Sequence, residues 1–456
     1  MTTDRKQILF NAFGMNCVGH INHGLWTHPR DQSDLYTTLP YWTSLARTLE
    51  RGLFDGLFLA DIIGVYDVYG GSADLSLREA IQLPVNDPAM LISAMAAVTQ
   101  NLGFGVTANQ SAEAPYLFAR RFSTLDHLTE GRIGWNIVTG YLDSAARALG
   151  DAGLAEHDSR YDRADDYMDV LYKLWEGSWA DDAVRRDKAA RVYADPSRVR
   201  PIAHDGPYYR SHGIHLAEPS RQRTPLLYQA GTSGRGRAFA ARHGECIFIT
   251  ATTPAAARKT ARQLRQEAVD AGRGKDALRI FVGITIVTGE TDAVAREKHA
   301  DYLAHANPEA GLAHFSASTG IDFSQYDLDA PITYGASNAS QSAVEIARAA
   351  GWTRRRILEE AALGGRYPVL VGTGADVATA LGAWVEEGEI DGFNITRTVV
   401  PESYEDVIDH VVPVLQERGL YKTAYGKGSL RNRLFGRGDR LPDTHVGASH
   451  RWPSQR

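Results

Sequence analysis

At 456 residues, with 43% hydrophobic and 23% charged side chains and a formal net charge of −6, the chain has the composition of a globular protein built as one large domain or two ordinary ones. Disordered and fibrous classes are excluded, and the lack of any Lys or Arg block argues against nucleic acid as a partner. Met1 to Phe13 lacks the basic start and apolar core of a signal peptide, and no apolar run is long enough to span a bilayer. Cys17 and Cys246 stand far apart without metal-type spacing, which suits a reducing cytoplasm and no structural zinc.

Short apolar runs alternate with stretches of helical period. The first run, Ile8 to Phe13, precedes a helix over residues 40–51, where Trp42, Leu45, Ala46 and Leu49 recur at spacings of three and four. Gly56 to Ala60 follows and ends in Asp61. Asp87 caps, and Pro88 opens, a helix reaching Thr99. Next come a strand over 103–107, a helix over 115–128 and a strand over 132–139. A helix over 162–175 is read with Ser159 as its cap. Further strands fall at 225–230, 245–250, 279–287 and 391–395, with helices at 255–271 and 404–417. Eight strands, most followed by a helix, predict a closed (β/α)8 TIM barrel of the α/β class.

Such a barrel needs roughly 250 residues. The chain is therefore read as a single domain over 1–456 with insertions after strands at about 179–224 and 307–390, the second a candidate lid. A polar tail over 426–456 is expected to wrap the surface or a partner subunit.

Barrels build their active sites at the C-terminal ends of strands. Asp61, Thr107, Asn136 and Thr139 close the second, third and fourth runs. Each alone is open to a second reading as a helix or turn cap; four on successive strand ends favour a shared pocket. The loop from Gln229 to Arg237, with Gly231, Ser233, Gly234, Arg235 and Gly236, joins a strand to a helix. Its glycines, the helix N-terminus, the Ser233 hydroxyl and the Arg235 charge suit a monophosphate, against the alternative of a turn with no ligand. It is neither a Walker loop nor a dinucleotide fingerprint. In Glu156-His157-Asp158-Ser159-Arg160-Tyr161, His157 and Tyr161 either point donors toward a phosphate or ribityl chain or simply begin a surface helix.

His20, His23 and His28 in the first loop raise the question of a metal. The strand ends Gln229-Ala230, Ile249-Thr250 and Ile395-Thr396 offer no companion ligands, so none is expected. His20 is read as a hydrogen-bond donor or proton carrier near the reaction, and His23 and His28 as ordinary loop histidines.

Taken together, Leu49-Glu50-Arg51-Gly52, Phe54-Asp55, Phe58-Leu59-Ala60-Asp61, Arg120 to His127, Gly131-Arg132, Trp135 to Thr139, Glu156-His157-Asp158, Arg160-Tyr161, Gln229-Ala230-Gly231 and Asp391-Gly392-Phe393-Asn394 resemble the bacterial-luciferase-like flavin monooxygenases. The likeness is to the branch acting on nitrilotriacetate, EDTA, dibenzothiophene sulfone and dimethyl sulfide, and it runs from Ile8 to Leu434. Gly64 to Ser72 and Pro84 to Pro88 are most similar to the dimethyl sulfide members.

The resemblance implies an oxygenase that takes reduced FMN from a separate NAD(P)H:flavin oxidoreductase and uses O2 on a small organic substrate, an organosulfur compound such as a thioether. A homodimer or homotetramer is the family expectation. Asp61, Thr107, His157, Tyr161 and Ser233 match positions contacting FMN, while His20, Phe58 and Phe248 match positions lining the reaction pocket. Sulfone-oxidising members carry a histidine where Ser318 stands here, which speaks against an aromatic sulfone. Competing readings are an aminopolycarboxylate N-dealkylating monooxygenase, a flavin-independent hydrolase or lyase acting on a phosphorylated substrate, and a non-catalytic flavin-binding barrel.

Overall fold

The computed structural model describes residues 6–231, 233–330, 332 and 352–452. Of the stretch read as a candidate lid, residue 331 and residues 333–351 lie outside the described residues.

Thirteen strands are found among the described residues. Eight close a parallel ring: β1 (Leu9–Met15), β2 (Gly56–Ala60), β3 (Gly103–Asn109), β4 (Ile133–Val138), β9 (Leu226–Gln229), β10 (Cys246–Ile249), β11 (Arg279–Gly289) and β13 (Gly392–Thr396). Pairing of β13 with β1, in register from Leu9 opposite Gly392, completes the circle. This is the predicted (β/α)8 barrel, and every predicted strand has its counterpart.

Two elements depart from expectation. Residues 179–224 carry two antiparallel hairpins, β5 (Val184–Asp187) with β6 (Val192–Ala194) and β7 (Ile202–Asp205) with β8 (Arg210–Gly213). A ninth parallel strand, β12 (Val369–Thr373), pairs with the far end of β11, and the helix Gly374–Gly388 leads from it to β13. Both lie inside the stretch read as the second insertion, so the barrel framework resumes at Val369.

The strands' period of two sorts the core into two layers. Leu57, Leu59, Leu227, Ile247 and Ile249 face outward and pack under the surrounding helices. The residues between them, Phe58, Leu226, Tyr228, Cys246 and Phe248, face inward with Phe13 and Phe281 and fill the barrel with rings. Small neighbours make this possible. A Cβ at Gly134 would lie 2.6 Å from the Tyr228 ring, and one at Gly283 would lie 2.5 Å from the Tyr367 ring.

The first part of the tail closes the barrel's lower end, and the rest runs over the outer helices, Trp452 N donating to Glu176 O and Arg200 lying over the Trp452 ring. In the helix Leu430–Phe435, Leu430 and Leu434 join the inner cluster, and Arg431 is buried against Glu245 at 2.7 Å. No helix among the described residues is long and apolar enough to cross a membrane.

Candidate active site

The upper ends of the strands hold two groups of polar side chains around an aromatic floor. Phe13, Phe58 and Phe248 meet edge to face, with ring centroids 5.1–6.0 Å apart. His20 stands edge-on to Phe13 at 4.6 Å, and Tyr367 stacks on Phe248 at 5.8 Å. The structure thus brings His20, Phe58 and Phe248 together and adds Phe13 and Tyr367. Such edge-to-face contacts make a stiff, dry base.

His20 and His23 are buried, and burial together with the positive charge of Arg397 holds both imidazoles neutral. His20 lies well below the usual histidine range and His23 falls to about 3. Arg397 is itself fixed by the carbonyls of Cys17 and Val18 at 2.8 and 2.5 Å. His20 is therefore a neutral imidazole. His23, read from the sequence as an ordinary loop residue, meets His314 at 3.1 Å. His314 in turn stacks on Tyr66, whose hydroxyl lies 2.7 Å from that of Tyr141. Sequence reasoning missed this cluster because His23 and His314 are 291 residues apart and nothing local marks either.

One polar group lies across the ends of β2, β3 and β4. Asn136 Nδ2 donates to the Thr107 hydroxyl at 2.9 Å, and among the described residues Asn136 Oδ1 is buried without a partner. Asp61 and Thr107 line the same cleft, of about 430 Å3. Burial pushes the Asp61 carboxyl up to about 7, with the neighbouring Asp87 carboxylate raising it further and the Ile62 N–H opposing. A carboxyl poised there can donate as well as accept.

The second group surrounds the loop after β9. Ser233 caps the helix Gly234–His243 by accepting from Gly236 N at 3.1 Å. Its hydroxyl also lies 3.2 Å from His157 Nε2, and His157 Nδ1 pairs with Asp158 at 2.7 Å. The rings of His157 and Tyr161 are 5.3 Å apart, one helical turn from each other. Thr139 hydrogen-bonds the Tyr161 hydroxyl, which links this group to the end of β4.

Two sequence expectations are corrected. The helix begins at His157, so Ser159 lies within its first turn and Glu156, without a side-chain cap bond, precedes it. Arg235, expected to face a phosphate, is held instead by Asp162 at 2.9 Å and by Asp165. Arg160, not singled out earlier, supplies a buried cation next to Tyr161, its guanidinium donating to Ala155 O at 2.8 Å.

His28, Asp301 and His305 converge near the surface. His28 Nδ1 accepts the Arg30 N–H at 3.2 Å, which leaves Nε2 to donate to Asp301 at 2.9 Å. Arg30 also reaches Asp301, at 3.4 Å, so the group is an ion-paired cluster with no lone pair on Nε2 for a metal.

Chains of known kind show the same architecture. The model of the luciferase-like monooxygenase family matches residues 15–391. The chain belongs to the luciferase-like monooxygenases. This monooxygenase is 50% identical over 452 residues, 98% of its length and 94% of the other's, to dimethyl-sulfide monooxygenase of Hyphomicrobium sulfonivorans. It is 48% identical over 448 residues, 98% of each chain, to long-chain alkane monooxygenase of Geobacillus thermodenitrificans (strain NG80-2). A crystal structure of riboflavin lyase holding a modified FMN and riboflavin superposes with a TM-score of 0.93 at 40% identity, covering 98% of this chain and 100% of that one. The reaction class is reduced-flavin-dependent monooxygenation with FMN and O2.

The residues present fit FMN. A Cβ at Gly231 would strike the Tyr161 hydroxyl and the Gln229 amide, and one at Gly236 would come within 2.9 Å of both Ser233 Oγ and the Tyr161 hydroxyl. The two glycines let hydroxyl and imidazole groups close in at a helix N-terminus, where backbone N–H groups and the helix dipole favour an anion. Gln229 Oε1 and Asn136 Oδ1 are buried and unpartnered among the described residues, so the nearby strand ends hold polar atoms that a ligand would satisfy.

Proposed function

We propose that this chain is the oxygenase component of a two-component system that oxygenates a small organosulfur substrate, a thioether above all. Reduced FMN is supplied by a separate NAD(P)H:flavin oxidoreductase. The observation that supports this reading is that Ser233, His157 and Tyr161 gather at a helix N-terminus in the barrel mouth that also holds the polar strand ends and the aromatic floor. The identity to dimethyl-sulfide monooxygenase supports the sulfur substrate.

When bound, reduced FMN supplies the electrons and activates O2; the protein binds, orients and shields. Ser233, His157 and Tyr161 hold the phosphate, with the N-terminus of the helix Gly234–His243 adding its dipole. Asp61, Thr107, Asn136 and Thr139 set the orientation of the ring and its ribityl chain from the ends of β2, β3 and β4. Phe13, Phe58 and Phe248 keep water out of the floor, which protects a water-sensitive reaction. His20, neutral at working pH, presents a hydrogen bond to the reacting centre without introducing a charge.

The test is oxygen uptake with a flavin reductase, NADH and FMN across a panel of thioethers, sulfones and tertiary amines. Uptake coupled to sulfoxide or dealkylated product on the thioethers is expected. Substrate conversion without flavin, or tight binding of a sugar phosphate in its place, overturns the reading.

A further inference from the structure

Beyond the mouth, behind Tyr367, lies a small cavity of about 80 Å3 lined by Ile21, His314, Phe315, Ile357, Arg366 and Tyr367 among others. Arg366 is its one cationic lining residue. The guanidinium lies over the Phe315 ring at 4.6 Å, and stacking of this kind fixes its plane while leaving its edge N–H groups available. Its strongest electrostatic neighbours are the neutral phenols of Tyr367 and Tyr141, and no carboxylate pairs with it among the described residues. The other guanidinium buried at the mouth, Arg397, is satisfied by backbone carbonyls.

The backbone makes the placement more pointed. Arg366 has φ +80°, a left-handed conformation that strains an L side chain and that glycine adopts freely. It follows Gly364 and Gly365, also left-handed. Gly364 N donates to Asn22 Oδ1 at 2.6 Å, and a Cβ at Gly365 would come within 2.7 Å of Ile21. This turn is therefore clamped to the loop that carries His20 and His23. His314, bonded to His23, forms another wall of the cavity.

We infer that Arg366 reads an anionic group, a carboxylate or sulfonate, carried by the substrate at the end remote from the atom that is oxygenated. The geometry that points to this is a guanidinium with no carboxylate partner among the described residues, held in strained backbone and stacked on Phe315, opening onto a cavity adjoining the aromatic floor. The space admits such a group but not a tricyclic ring, which separates the assignment from the cofactor. The inference rests on the monooxygenase reading and narrows its substrate to acidic thioethers.

The experiment uses matched probes: ω-(methylthio)alkanoates of two to four carbons in the acid chain and their primary amides, which differ in charge and hardly in shape. Their binding to the protein is measured calorimetrically, and their sulfoxidation is followed with a flavin reductase present. The best acid is expected to bind about 10- to 100-fold more tightly than its amide, the scale of a charge-assisted hydrogen bond. Arg366→Gly, which suits the left-handed backbone and should fold, is expected to bring the two within about threefold. Arg366→Lys should recover part of the preference.

Reduced-FMN affinity is measured on the same variants and should not change. If wild type binds acid and amide equally, binds neither, or keeps its preference in Arg366→Gly, the assignment is overturned. Failure of the monooxygenase reading is told apart by a wild type that does not bind reduced FMN, whatever its acid preference.

Discussion

The two ends of the barrel handle charge in opposite ways. At the lower end three carboxylates, each one residue before a strand, repeat one device. Asp55 accepts from Phe10 N and pairs with Lys422 at 2.8 Å; Glu245 accepts from Leu227 N and pairs with Arg431 at 2.7 Å; Asp391 accepts from Ile280 N and pairs with Lys6 and Arg265 at 2.9 Å. Each ties a neighbouring strand into register and is neutralised by a cation. Among the described residues at the upper end, His20 Nδ1, His23 Nδ1, Asn136 Oδ1 and Gln229 Oε1 are buried without partners and no carboxylate pairs with Arg366. Unsatisfied groups are costly in a folded protein, and although others, such as Arg433 Nε in the lower helix, occur elsewhere, these four stand at the strand ends and first loop where the proposed function places a ligand. The lower carboxylates hold strands in register, and the upper groups are the ones a ligand would satisfy.

The largest effect that could break this contrast lies at the bottom. Arg431→Met strands a buried Glu245 and is expected to cost about 3–5 kcal/mol in urea denaturation while leaving reduced-FMN affinity of the folded protein unchanged. A loss below about 1 kcal/mol would place the stability elsewhere.

At the top, Ser233→Ala and Tyr161→Phe should each weaken reduced-FMN binding by roughly 1–3 kcal/mol in anaerobic titration. Ser233→Ala also loses a helix cap, so its unfolding free energy should drop by about 1 kcal/mol. Unchanged affinity in both would remove Ser233 and Tyr161 from cofactor binding.

Acid sharpens the comparison further. His23 is held neutral to about pH 3, whereas in the unfolded chain it takes up a proton near 6.5. Its contribution to stability is therefore complete above pH 6.5 and is lost as pH falls, by about 1.4 kcal/mol per unit, or about 2 kcal/mol between pH 6.5 and 5. His23→Asn should flatten the stability curve over that window by this amount. A variant curve parallel to wild type would show that His23 is protonated in the native state.

The smallest free-energy effect is expected from His20→Ala. Flavin binding should shift by under about 1 kcal/mol, but less sulfoxide and more hydrogen peroxide should form per NADH consumed. Full coupling in that variant would take His20 out of the mechanism.

The barrel was legible because each strand alternates buried side chains between two packed layers and is bounded by helical period. β12 was not, since Val369, Leu370 and Val371 are only half-buried and pair with the far end of β11 beyond the closed ring. The hairpins at 184–213 were invisible for a related reason: strands such as Val184–Asp187 are largely exposed and carry no apolar alternation.

In the site, residues at strand ends announced themselves through the strand pattern, as Asp61, Thr107 and Asn136 did. His314, Tyr367 and Arg366 come from connections whose sequence says nothing about what they face. Arg235 shows the converse, a residue in a phosphate-like loop whose charge is already taken by Asp162 and Asp165.

In the proposed cofactor site the phosphate would lie between Ser233 and Tyr161. Anaerobic titration of the wild-type protein with reduced FMN and with reduced riboflavin, identical but for the phosphate, addresses it directly. Reduced FMN should bind at least about 100-fold more tightly, and Ser233→Ala should shrink that margin about tenfold. Equal affinity for the two flavins would contradict it.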